Sequence, residues 1–409
     1  MNKQQEPRLR FQGFTGAWEE QKIIEIADYV DYRGKTPRKT EEGIFLITAK
    51  NVKMGSLDYK VSQEFIAIED FESVMSRGKA EIGDVLITTE APLGNVAQID
   101  REDVALAQRV IKYRGMKGIL NNDFLTQKFL TNTFQVTLSS LSSGGTVQGI
   151  KGSLLHQIEI KYPSLPEQTY LGLFFRRLDS QIAESRAVLE KSHQLKKAML
   201  AKMFPANGEK IPKIRFKGFE GEWERKTLGE VADIVRGASP RPIQDPKWFD
   251  EKSDIGWLRI ADVTAQNGRI HYLEQKISKA GQENTRVLEE PHLLLSIAAS
   301  VGKPVINYVK TGVHDGFLIF RNPDFELEFM YQYLDSFVES WQRYGQPGTQ
   351  VNLNSDIVKN AEFFIPPTKS EQTQIGNFFR QLDETIALQS AEVEKLNQLK
   401  KGLLAAMLV

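Results

Sequence analysis

An internal repeat divides this 409-residue chain into two halves. Residues 7–30 and 212–235 are identical at twelve of twenty-four positions, and "RFQGFTGAWE" in the first corresponds to "RFKGFEGEWE" in the second. Residues 167–203 and 371–407 are identical at 21 of 37 positions. By contrast, residues 53–80 and 95–143 have little in common with 264–290 and 303–346. Because drift in a purely structural duplication would be spread along its length, we interpret each half as a common frame that carries a different insert.

The repeated segments at the end of each half predict two long helices. Ser164 lies three residues before Glu167, and Thr368 three before Glu371, which is the spacing of a capping box. Apolar residues then recur at alternating steps of four and three, which predicts one narrow apolar seam per helix. One helix cannot bury such a seam alone, so we expect the two to pair as an antiparallel coiled coil. The seam residues are Leu171, Phe175, Leu178, Ile182, Leu189 and Met199, and then Ile375, Phe379, Leu382, Ile386, Val393, Leu396 and Leu403.

Polar residues interrupt this seam near its middle, which predicts imperfect packing there. We expect Leu195 and Leu399 to move into the seam at these points. Helices docked separately on two globular domains are the alternative. The polar seam residues are Ser185, Ser192, Lys196, Gln389 and Lys400.

The segment "FPANGEKIP" (204–212) separates the two halves, because its proline, glycine and asparagine end the first helix. We therefore predict globular parts at 1–163 and 206–367, followed by helices at 164–205 and 368–409. Both globular parts mix short apolar runs typical of strands, such as "DVLITT" (84–89), with helical stretches such as "FMYQYLDSFVESWQRY" (329–344). The predicted fold class is α+β.

The composition limits where the chain acts and what it binds by charge. The absence of cysteine excludes disulfides and thiolate chemistry and fits a reducing compartment. No apolar run approaches the roughly 18 residues of a membrane span, and the N-terminus lacks a signal-peptide core, so we expect a cytoplasmic protein. The 53 basic and 53 acidic residues give no net charge, which argues against binding nucleic acid through charge alone.

A search for catalytic motifs finds none. The stretch around Lys303, "SVGKP", lacks the first glycine and the serine or threonine of a phosphate-binding loop. Five histidines are scattered without the spacing of metal ligands. We therefore expect no active site, no metal and no cofactor in this chain.

Several motifs, in order and present twice, resemble the specificity subunit of type I restriction-modification systems. In the first half they are "RFQGFTGAWE", "RGKTPR" (33–38), "GDVLITTEAPLG" (83–94), "GGTVQGI" (144–150) and "QLKKAMLAKMF". The second half repeats them as "RFKGFEGEWE", "RGASPR" (236–241), "GTQVNL" (348–353) and "QLKKGLLAAML". The resemblance covers nearly the whole chain.

The resemblance implies two target-recognition domains that each read one half of a bipartite, asymmetric site in double-stranded DNA. It also implies that the paired helices set the distance between the half-sites and bind two modification (methyltransferase) subunits, with restriction and translocase subunits in the full complex. S-adenosylmethionine, ATP and Mg²⁺ would then belong to those partners. The neutral net charge suggests that the chain alone binds DNA weakly.

Residues shared by the two halves are candidates for phosphate contacts, because phosphates carry no sequence information. The two related turns and the two glycine-threonine segments fit this role, with a solvated surface turn as the alternative. The candidates are Arg33, Lys35, Arg38, Thr146, Arg236, Arg241 and Thr349.

Residues that differ between the halves are candidates for reading bases, and Arg, Lys, Asn and Gln suit paired contacts to base edges. In the first half they are Lys50, Asn51, Lys53, Arg77, Gln108, Arg109 and Gln148. In the second half they are Arg259, Gln266, Asn267, Arg269, His314, Tyr344, Gln346 and Gln350.

Two other functions stay open at this point. One is a non-catalytic coiled-coil scaffold with two protein-binding heads, and the other is a self-contained nuclease or methyltransferase. Sequence-dependent DNA binding would separate DNA reading from the scaffold function, and an activity assay of the purified chain would expose an enzyme.

Overall fold

The computed structural model describes residues 6–32, 36–206, 208–298, 301–344 and 353–408, without the side chains of 342–344. Two compact units are present, one formed by Met1–Ala187 with Ser390–Val409 and the other by Val188–Gln389. Each unit therefore contains one globular part and a portion of both long helices. The domain boundaries predicted from the sequence differ from this division and stay a prediction.

In the first unit, the described residues form eleven strands and five short helices before the first long helix. The strands are β1 (Glu19–Lys22), β2 (Ala27–Asp31), β3 (Ile44–Ile47), β4 (Val52–Lys53), β5 (Ser56–Leu57), β6 (Phe65–Ile66), β7 (Val85–Thr89), β8 (Leu93–Gln98), β9 (Val104–Leu106), β10 (Val110–Gly115) and β11 (Glu159–Tyr162). The helices are α1 (Ile23–Ile26), α2 (Phe71–Val74), α3 (Asn122–Leu130), α4 (Asn132–Ser140) and α5 (Gly152–Leu155), with a 3-10 turn at Ile68–Asp70.

An antiparallel sheet of order β2-β10-β7-β8 forms the centre of the first unit. Every residue of β7, "VLITT", is buried, as expected of a strand covered on both faces. A smaller sheet, β6-β3-β9, contains a parallel pair, β3 with β9, and packs its own apolar core against the centre. Two-stranded ladders join β1 to β11 and β4 to β5.

Within the described part of the second unit there are ten strands and five short helices before the second long helix. The strands are β12 (Glu224–Thr227), β13 (Asp233–Arg236), β14 (Gly256–Leu258), β15 (Arg269–Ile270), β16 (Arg286–Leu288), β17 (Leu293–Ser296), β18 (Pro304–Asn307), β19 (Thr311–Val313), β20 (Phe317–Arg321) and β21 (Glu362–Ile365). Helices are α7 (Leu228–Val231), α8 (Ile260–Ala265), α9 (Lys279–Gln282), α10 (Leu327–Ser336) and α11 (Ser355–Lys359), with 3-10 segments at Pro246–Trp248 and Val338–Tyr344. The first long helix, α6 (Leu165–Met203), precedes these helices in the chain.

The sheets of the second unit repeat those of the first with local differences. The order β13-β20-β17-β18 matches the central sheet, and β15 is added in parallel at its edge. The parallel pair recurs as β14 with β19, but its third strand, β16, pairs with β19, whereas β6 in the first unit pairs with β3. The frame is therefore common, and the segments around the parallel pair are built differently. This arrangement confirms the predicted α+β class.

The two predicted long helices are present as α6 (Leu165–Met203) and α12 (Lys369–Met407), each of 39 residues. They run antiparallel. In the first unit the start of α6 and the end of α12 share one core, which includes Phe175, Ile182 and Met407. In the second unit the end of α6 and the start of α12 share another, which includes Met203 and Phe379.

The predicted seam residues differ in burial along the helices. Leu171, Phe175, Leu178, Ile182, Ile375 and Phe379 are buried, and Met199, Leu396 and Leu403 are partly buried against the same cores. Leu189, Leu382, Ile386 and Val393, nearer the middle, are half-buried. The expectation that Leu195 and Leu399 move into the seam is wrong, because both are about half exposed, at 49% and 50%.

Ion pairs occupy two of the five polar positions of the seam. Lys196 Nζ lies 2.6 Å from Asp383 Oδ1 in the second unit, and Lys400 Nζ lies 2.5 Å from Asp179 Oδ1 in the first. The lysine and aspartate of each pair come from different helices, at equivalent positions of the repeat. The two lysines that interrupt the apolar seam thus join the helices by charge.

The repeated "RFxGFxGxW" segments anchor the start of each long helix. Arg10 donates two hydrogen bonds to Glu167, at 2.8 and 2.6 Å, and Arg215 does the same to Glu371, at 2.6 and 2.7 Å. The glutamates predicted to cap their own helices thus bind these arginines. Since all four side chains are largely buried, the pairs fix where each helix starts.

Candidate nucleic-acid interface

The parallel strand pair of the first unit brings together residues that are far apart in the sequence. Strand β3 ends at Ile47 beside Leu106, the last residue of β9. Because the strands are parallel, the segments that follow them, 48–50 and 107–109, emerge at the same edge of the sheet. The carboxyl ends of parallel strands are a common place for ligand sites. This edge therefore gathers Lys50, Gln108 and Arg109, all predicted to read bases.

A cleft of about 320 Å³, here called the first cleft, lies at this edge. It also reaches the turn predicted to bind phosphate, through Thr36 and Pro37. The first cleft is lined by Thr36, Pro37, Lys39, Leu46, Thr48, Ala49, Lys50, Ser62, Glu64, Ala91, Ala107, Gln108 and Arg109.

Basic side chains of the first cleft are paired with carboxylates. Lys39 Nζ lies 2.7 Å from Glu64 Oε2, and Arg109 Nε lies 3.0 Å from Glu90 Oε1. The backbone of Arg109 has a φ of +74°, unusual for a side-chain-bearing residue, and its carbonyl accepts a hydrogen bond from the amide of Thr89. This backbone conformation, fixed by the hydrogen bond, sets the direction in which the exposed Arg109 side chain leaves the end of the strand.

The second unit builds an equivalent cleft around its own parallel pair. Strand β14 ends at Leu258 beside Val313, the last residue of β19. Arg259 and His314 follow directly, and the cleft, of about 600 Å³, reaches the turn at Arg241. This second cleft is lined by Ser239, Pro240, Arg241, Pro242, Ile243, Gln244, Trp257, Arg259, Ile260, His314 and Asp315.

Asp315 fixes the charges of the second cleft. Its Oδ2 accepts a hydrogen bond from Arg241 at 2.9 Å, and its Oδ1 accepts one from the Ser239 hydroxyl at 2.8 Å. Burial acts to raise the pKa of Asp315, but these hydrogen bonds, with its backbone amide and the nearby charges of Arg236 and Arg241, outweigh burial and lower it. The carboxylate is therefore ionised at neutral pH.

The other polar groups of the second cleft are also held in place. Arg259 donates to Asp262 at 2.9 and 3.1 Å, and the hydrogen bond to Asp262 raises the pKa of this guanidinium. Burial lowers the pKa of His314, and nearby Asp315 offsets this only in part. The Gly316 amide donates to His314 Nδ1 at 2.8 Å, so the neutral ring carries its proton on Nε2. The cleft thus offers two guanidinium groups, one carboxylate and one imidazole N–H.

A sequence model of the family described as "Type I restriction modification DNA specificity domain" matches residues 16–191 and 220–398. The two matches cover most of the chain and correspond to its two repeated halves. The chain belongs to this family. Each half is accordingly called a specificity domain below.

Curated relatives of this chain are named as specificity subunits of type I restriction enzymes. The MjaVIII specificity subunit of Methanocaldococcus jannaschii is 20% identical over 95% of this chain and 92% of that protein. The MjaIX specificity subunit of the same organism is 29% identical over 44% of this chain and 41% of that protein. The EcoprrI specificity subunit of Escherichia coli is 26% identical over 42% of this chain and 44% of that protein. The alignments thus span less than half of two of these relatives and nearly all of the third.

Solved structures share the fold. A type I restriction-modification S subunit from M. genitalium superposes with a TM-score of 0.66 at 15% identity, covering 99% of both chains. A chain from a study of complex assembly and conformational transition in a type I system gives a TM-score of 0.52 at 17% identity over 95% of this chain and 96% of that one. At such identities the likeness establishes the fold.

Other predicted residues of the specificity domains lie on the surface near the clefts. Arg38 is exposed just after the turn of the first cleft. Arg236 donates to the Asp315 carbonyl at 2.6 Å. Thr146 and Gln148 are exposed on a loop that bridges to Glu90 through Gly149, next to Arg109.

Several predicted base readers have other partners in the specificity domains. Asn51 is fully buried, and its side chain accepts from the Thr48 amide at 2.8 Å and donates to the Val61 carbonyl at 2.6 Å. Arg269 donates to both oxygens of Glu328 at 2.7 Å, and its guanidinium lies 4.4 Å from the ring centre of Tyr331. Asn51 thus braces its own loop, and Arg269 packs against helix α10, which contains Glu328 and Tyr331.

Four further candidates within the described residues do not line either cleft. Gln266 closes a turn through hydrogen bonds with the backbone of residues 271 and 272, and the exposed Asn267 follows it with a φ of +48°. Lys53 is exposed on β4, and Arg77 donates to the Asp31 carbonyl at 2.8 Å. Arg33, Lys35, Gln346, Thr349, Gln350 and the side chain of Tyr344 lie outside the described residues.

The sequence-based prediction omitted the carboxylates Glu64 and Asp315, which line the clefts, and Glu90, which is paired with the cleft residue Arg109. It considered side chains that donate to bases, whereas Asp and Glu accept hydrogen bonds from base amino groups. The pattern "His-Asp-Gly" at 314–316, directly after an apolar strand, is the signal that could have pointed to Asp315. Glu64 lies in a divergent segment with no motif around it.

Among the residues that the structure describes, no helix has the length and apolarity needed to cross a bilayer. The same residues include no group of three or more His, Cys, Asp or Glu side chains suited to a metal ion.

Proposed function

We propose that this chain is the DNA-specificity subunit of a type I restriction-modification complex and that each specificity domain reads one half of a bipartite, asymmetric site in double-stranded DNA. The observation that carries this proposal is a pair of clefts in equivalent places with different chemistry. In the first cleft, Gln108 and Arg109 follow strand β9. At the equivalent positions of the second domain, Asp315 and Gly316 follow strand β19. A common frame with unlike clefts suits two unlike half-sites.

The contacts divide into two kinds. Arg38 and Arg241 end the related turns beside the clefts and would position phosphates, together with Arg33, Lys35, Arg236, Thr146 and Thr349. The strand-end residues would read bases, because they differ between the two domains. These are Lys50, Gln108 and Arg109 in the first domain and Arg259 and His314 in the second.

The long helices would set the distance between half-sites and dock two methyltransferase subunits. Each helix rises about 58 Å over its 39 residues, and the partly buried ion pairs Lys196–Asp383 and Lys400–Asp179 hold it against its partner. Leu195 and Leu399 are half exposed at equivalent positions of the repeat. A surface that occurs twice suits two copies of one partner.

Chemistry would reside in the partner subunits. The chain would act in the cytoplasm as a non-catalytic subunit, while methyltransferase subunits supply S-adenosylmethionine chemistry and restriction or translocase subunits use ATP and Mg²⁺. Because the chain has equal numbers of acidic and basic residues, we expect tight DNA binding to require these subunits.

A domain exchange tests the proposal. Residues 206–367 of this chain are replaced by those of another family member, and the methylome of a host carrying the chimaera and its methyltransferase is sequenced. We expect one half-site of the methylated sequence to change while the other half-site and the spacer are kept. A reciprocal exchange of residues 1–163 is the matched control and should change the opposite half. Changes in both halves from one exchange would contradict independent reading.

A further inference from the structure

The two clefts contain the same unusual arrangement built from different parts of the chain. In the first cleft Glu64 is paired with Lys39, at 2.7 Å, and accepts a hydrogen bond from the Ser62 hydroxyl at 3.0 Å. In the second cleft Asp315 is paired with Arg241, at 2.9 Å, and accepts from the Ser239 hydroxyl at 2.8 Å.

The resemblance between these groups is not inherited from the repeat. Glu64 lies between β5 and β6, in a segment with little counterpart in the second half, whereas Asp315 directly follows β19. Strand β9 of the first domain matches β19, and the residue that corresponds to Asp315 there is Gln108. Each domain therefore places a carboxylate in its cleft by a separate route, which indicates that the cleft needs one.

Both carboxylates are ionised and their side chains are partly exposed, but Glu64 Oε2, the oxygen beside Lys39, is itself buried. Their side chains are 24% exposed for Glu64 and 35% for Asp315. Burial acts to raise the pKa of Glu64, but the pairing with Lys39 and the Ser62 hydrogen bond outweigh it and lower the pKa, as also happens for Asp315. Each carboxylate has about four lone-pair directions, so the two contacts described leave capacity to accept another hydrogen bond.

A carboxylate in a DNA-facing cleft opposes phosphate binding and needs a compensating role. It repels phosphates and occupies a cation that could otherwise bind one. In the major groove, however, adenine and cytosine present an amino group that donates hydrogen bonds, whereas guanine and thymine present only acceptors or a methyl group. A fixed carboxylate accepts a hydrogen bond from adenine or cytosine and repels the acceptor atoms of guanine and thymine.

We infer that Glu64 and Asp315 are specificity-determining residues, each accepting a hydrogen bond from the exocyclic amino group of an adenine or cytosine in its half-site. This inference rests on the proposed function of the chain. The serine and the basic partner hold each carboxylate in one orientation. The same pairing keeps Lys39 from binding phosphates of arbitrary sequence, which favours selectivity over affinity, whereas Arg241, 79% exposed and bonded to Asp315 through Nη2, keeps other N–H groups for a phosphate.

The test uses the complex of the full chain with its methyltransferase partner and a pool of random DNA duplexes. Wild type, E64Q and D315N are each used to select bound sequences, and affinities are then measured for the selected site and for random duplex. E72Q and D254N are the matched controls, because Glu72 is paired with Lys79 and Asp254 with Lys310, both on exposed surfaces outside the cleft linings.

We expect E64Q to weaken the preference for an amino-bearing base at one position of the first half-site by about 10- to 100-fold, and D315N to do so in the second half-site. Binding to random duplex should rise for both, since a basic side chain is released. The two controls should keep the wild-type sequence preference. A uniform change of affinity for all sequences, with the base preference intact, would overturn the inference and leave Glu64 and Asp315 as positioning residues.

Charge-retaining variants cover the case in which an amide variant does not fold. E64D and D315E move the carboxylate by one methylene, and reduced discrimination at the same base position is expected; wild-type discrimination would overturn the inference. The outcomes also separate the two proposals. If the wild-type complex selects no sequence, the proposed function fails, whereas unchanged half-sites in the variants of a selective complex refute this inference alone.

Discussion

His314 lies in the second cleft with its ring packed near Trp257 and Phe317, at ring-centre distances of 5.9 and 4.9 Å. Burial lowers the pKa of this histidine in the folded chain, whereas an unfolded chain keeps a value of about 6.5. As the pH falls below about 6.5, the unfolded state therefore binds a proton that the folded state does not. Stability is retained above that pH and is lost as the pH falls toward the lowered folded pKa.

We predict that the denaturant concentration at the unfolding midpoint of the full chain decreases when the pH is lowered from 7.5 to 5.5. In H314Q this decrease should be smaller. The slope with pH is the relevant measurement, because H314Q also removes the hydrogen bond from Gly316. H193Q is the control, since His193 is exposed on α6. Equal slopes for wild type and H314Q would show that another group dominates the pH dependence.

The residue types that line the clefts were easier to predict from the sequence than the burial and hydrogen-bond partners of each side chain. Lys50, Gln108, Arg109, Arg259 and His314 were all predicted, and all lie at the ends of the parallel strands. Asn51, next to Lys50, is fully buried, and nothing in its type distinguishes a loop-bracing amide from an exposed one. The difference depends on partners such as Val61, which only the folded loop brings within reach.

At the level of elements, the ion pairs between the long helices are the feature whose loss we expect to be most costly. Lys196 and Asp383 have side chains only 15% and 13% exposed, and Asp383 also accepts a hydrogen bond from Gln332 at 2.6 Å. Removing one member leaves the other charge buried without its main partner, which typically costs about 3–5 kcal/mol. Replacing both members by apolar residues avoids leaving a lone charge, although Gln332 and Arg269 then lose their hydrogen bonds to Asp383.

We predict that D383A lowers the free energy of unfolding by about 3–5 kcal/mol and that the double variant K196M/D383L recovers a large part of the loss. The measurement is denaturant unfolding of the purified full chain. E384A is the control on the same helix, because Glu384 forms an exposed pair with Arg380, and it should change stability by less than about 1 kcal/mol. A loss in K196M/D383L as large as in D383A would argue against an electrostatic origin.

The long helices were predictable because their pattern is local and sustained over many turns. The observed helices begin and end within two residues of the predicted segments. The lysines at 196 and 400 were correctly seen as interruptions, but the sequence could not reveal Asp383 and Asp179 as their partners across the helix pair. The short strands of the parallel pairs, such as β14 with three residues, offer too little periodicity to predict their pairing.

For the whole molecule, the repeat predicts two similar halves, but the compact units are not the same as these halves. The unit of residues 188–389 is continuous in sequence and contains the ends of α6 and the start of α12. Met203, Phe204, Ile375 and Phe379 from these helices are buried in the same core as Trp223. A globular part cut at the predicted boundaries, 206–367, lacks the first four of these residues.

We therefore predict that a fragment of residues 188–389 folds on its own, with a cooperative thermal transition and native-like near-ultraviolet circular dichroism. The matched fragment 206–367 contains the same sheets but loses four large apolar side chains from its core, each worth about 2–5 kcal/mol when removed. The combined loss amounts to a large part of the free energy of unfolding of a typical domain. Fragment 206–367 should therefore be unfolded or molten. Equal cooperativity of the two fragments would show that the helix segments are attached to the domain without supporting it. If only the longer fragment folds, the helices are part of each unit's core, and a shift in their pairing would be transmitted directly to the cleft-bearing sheets.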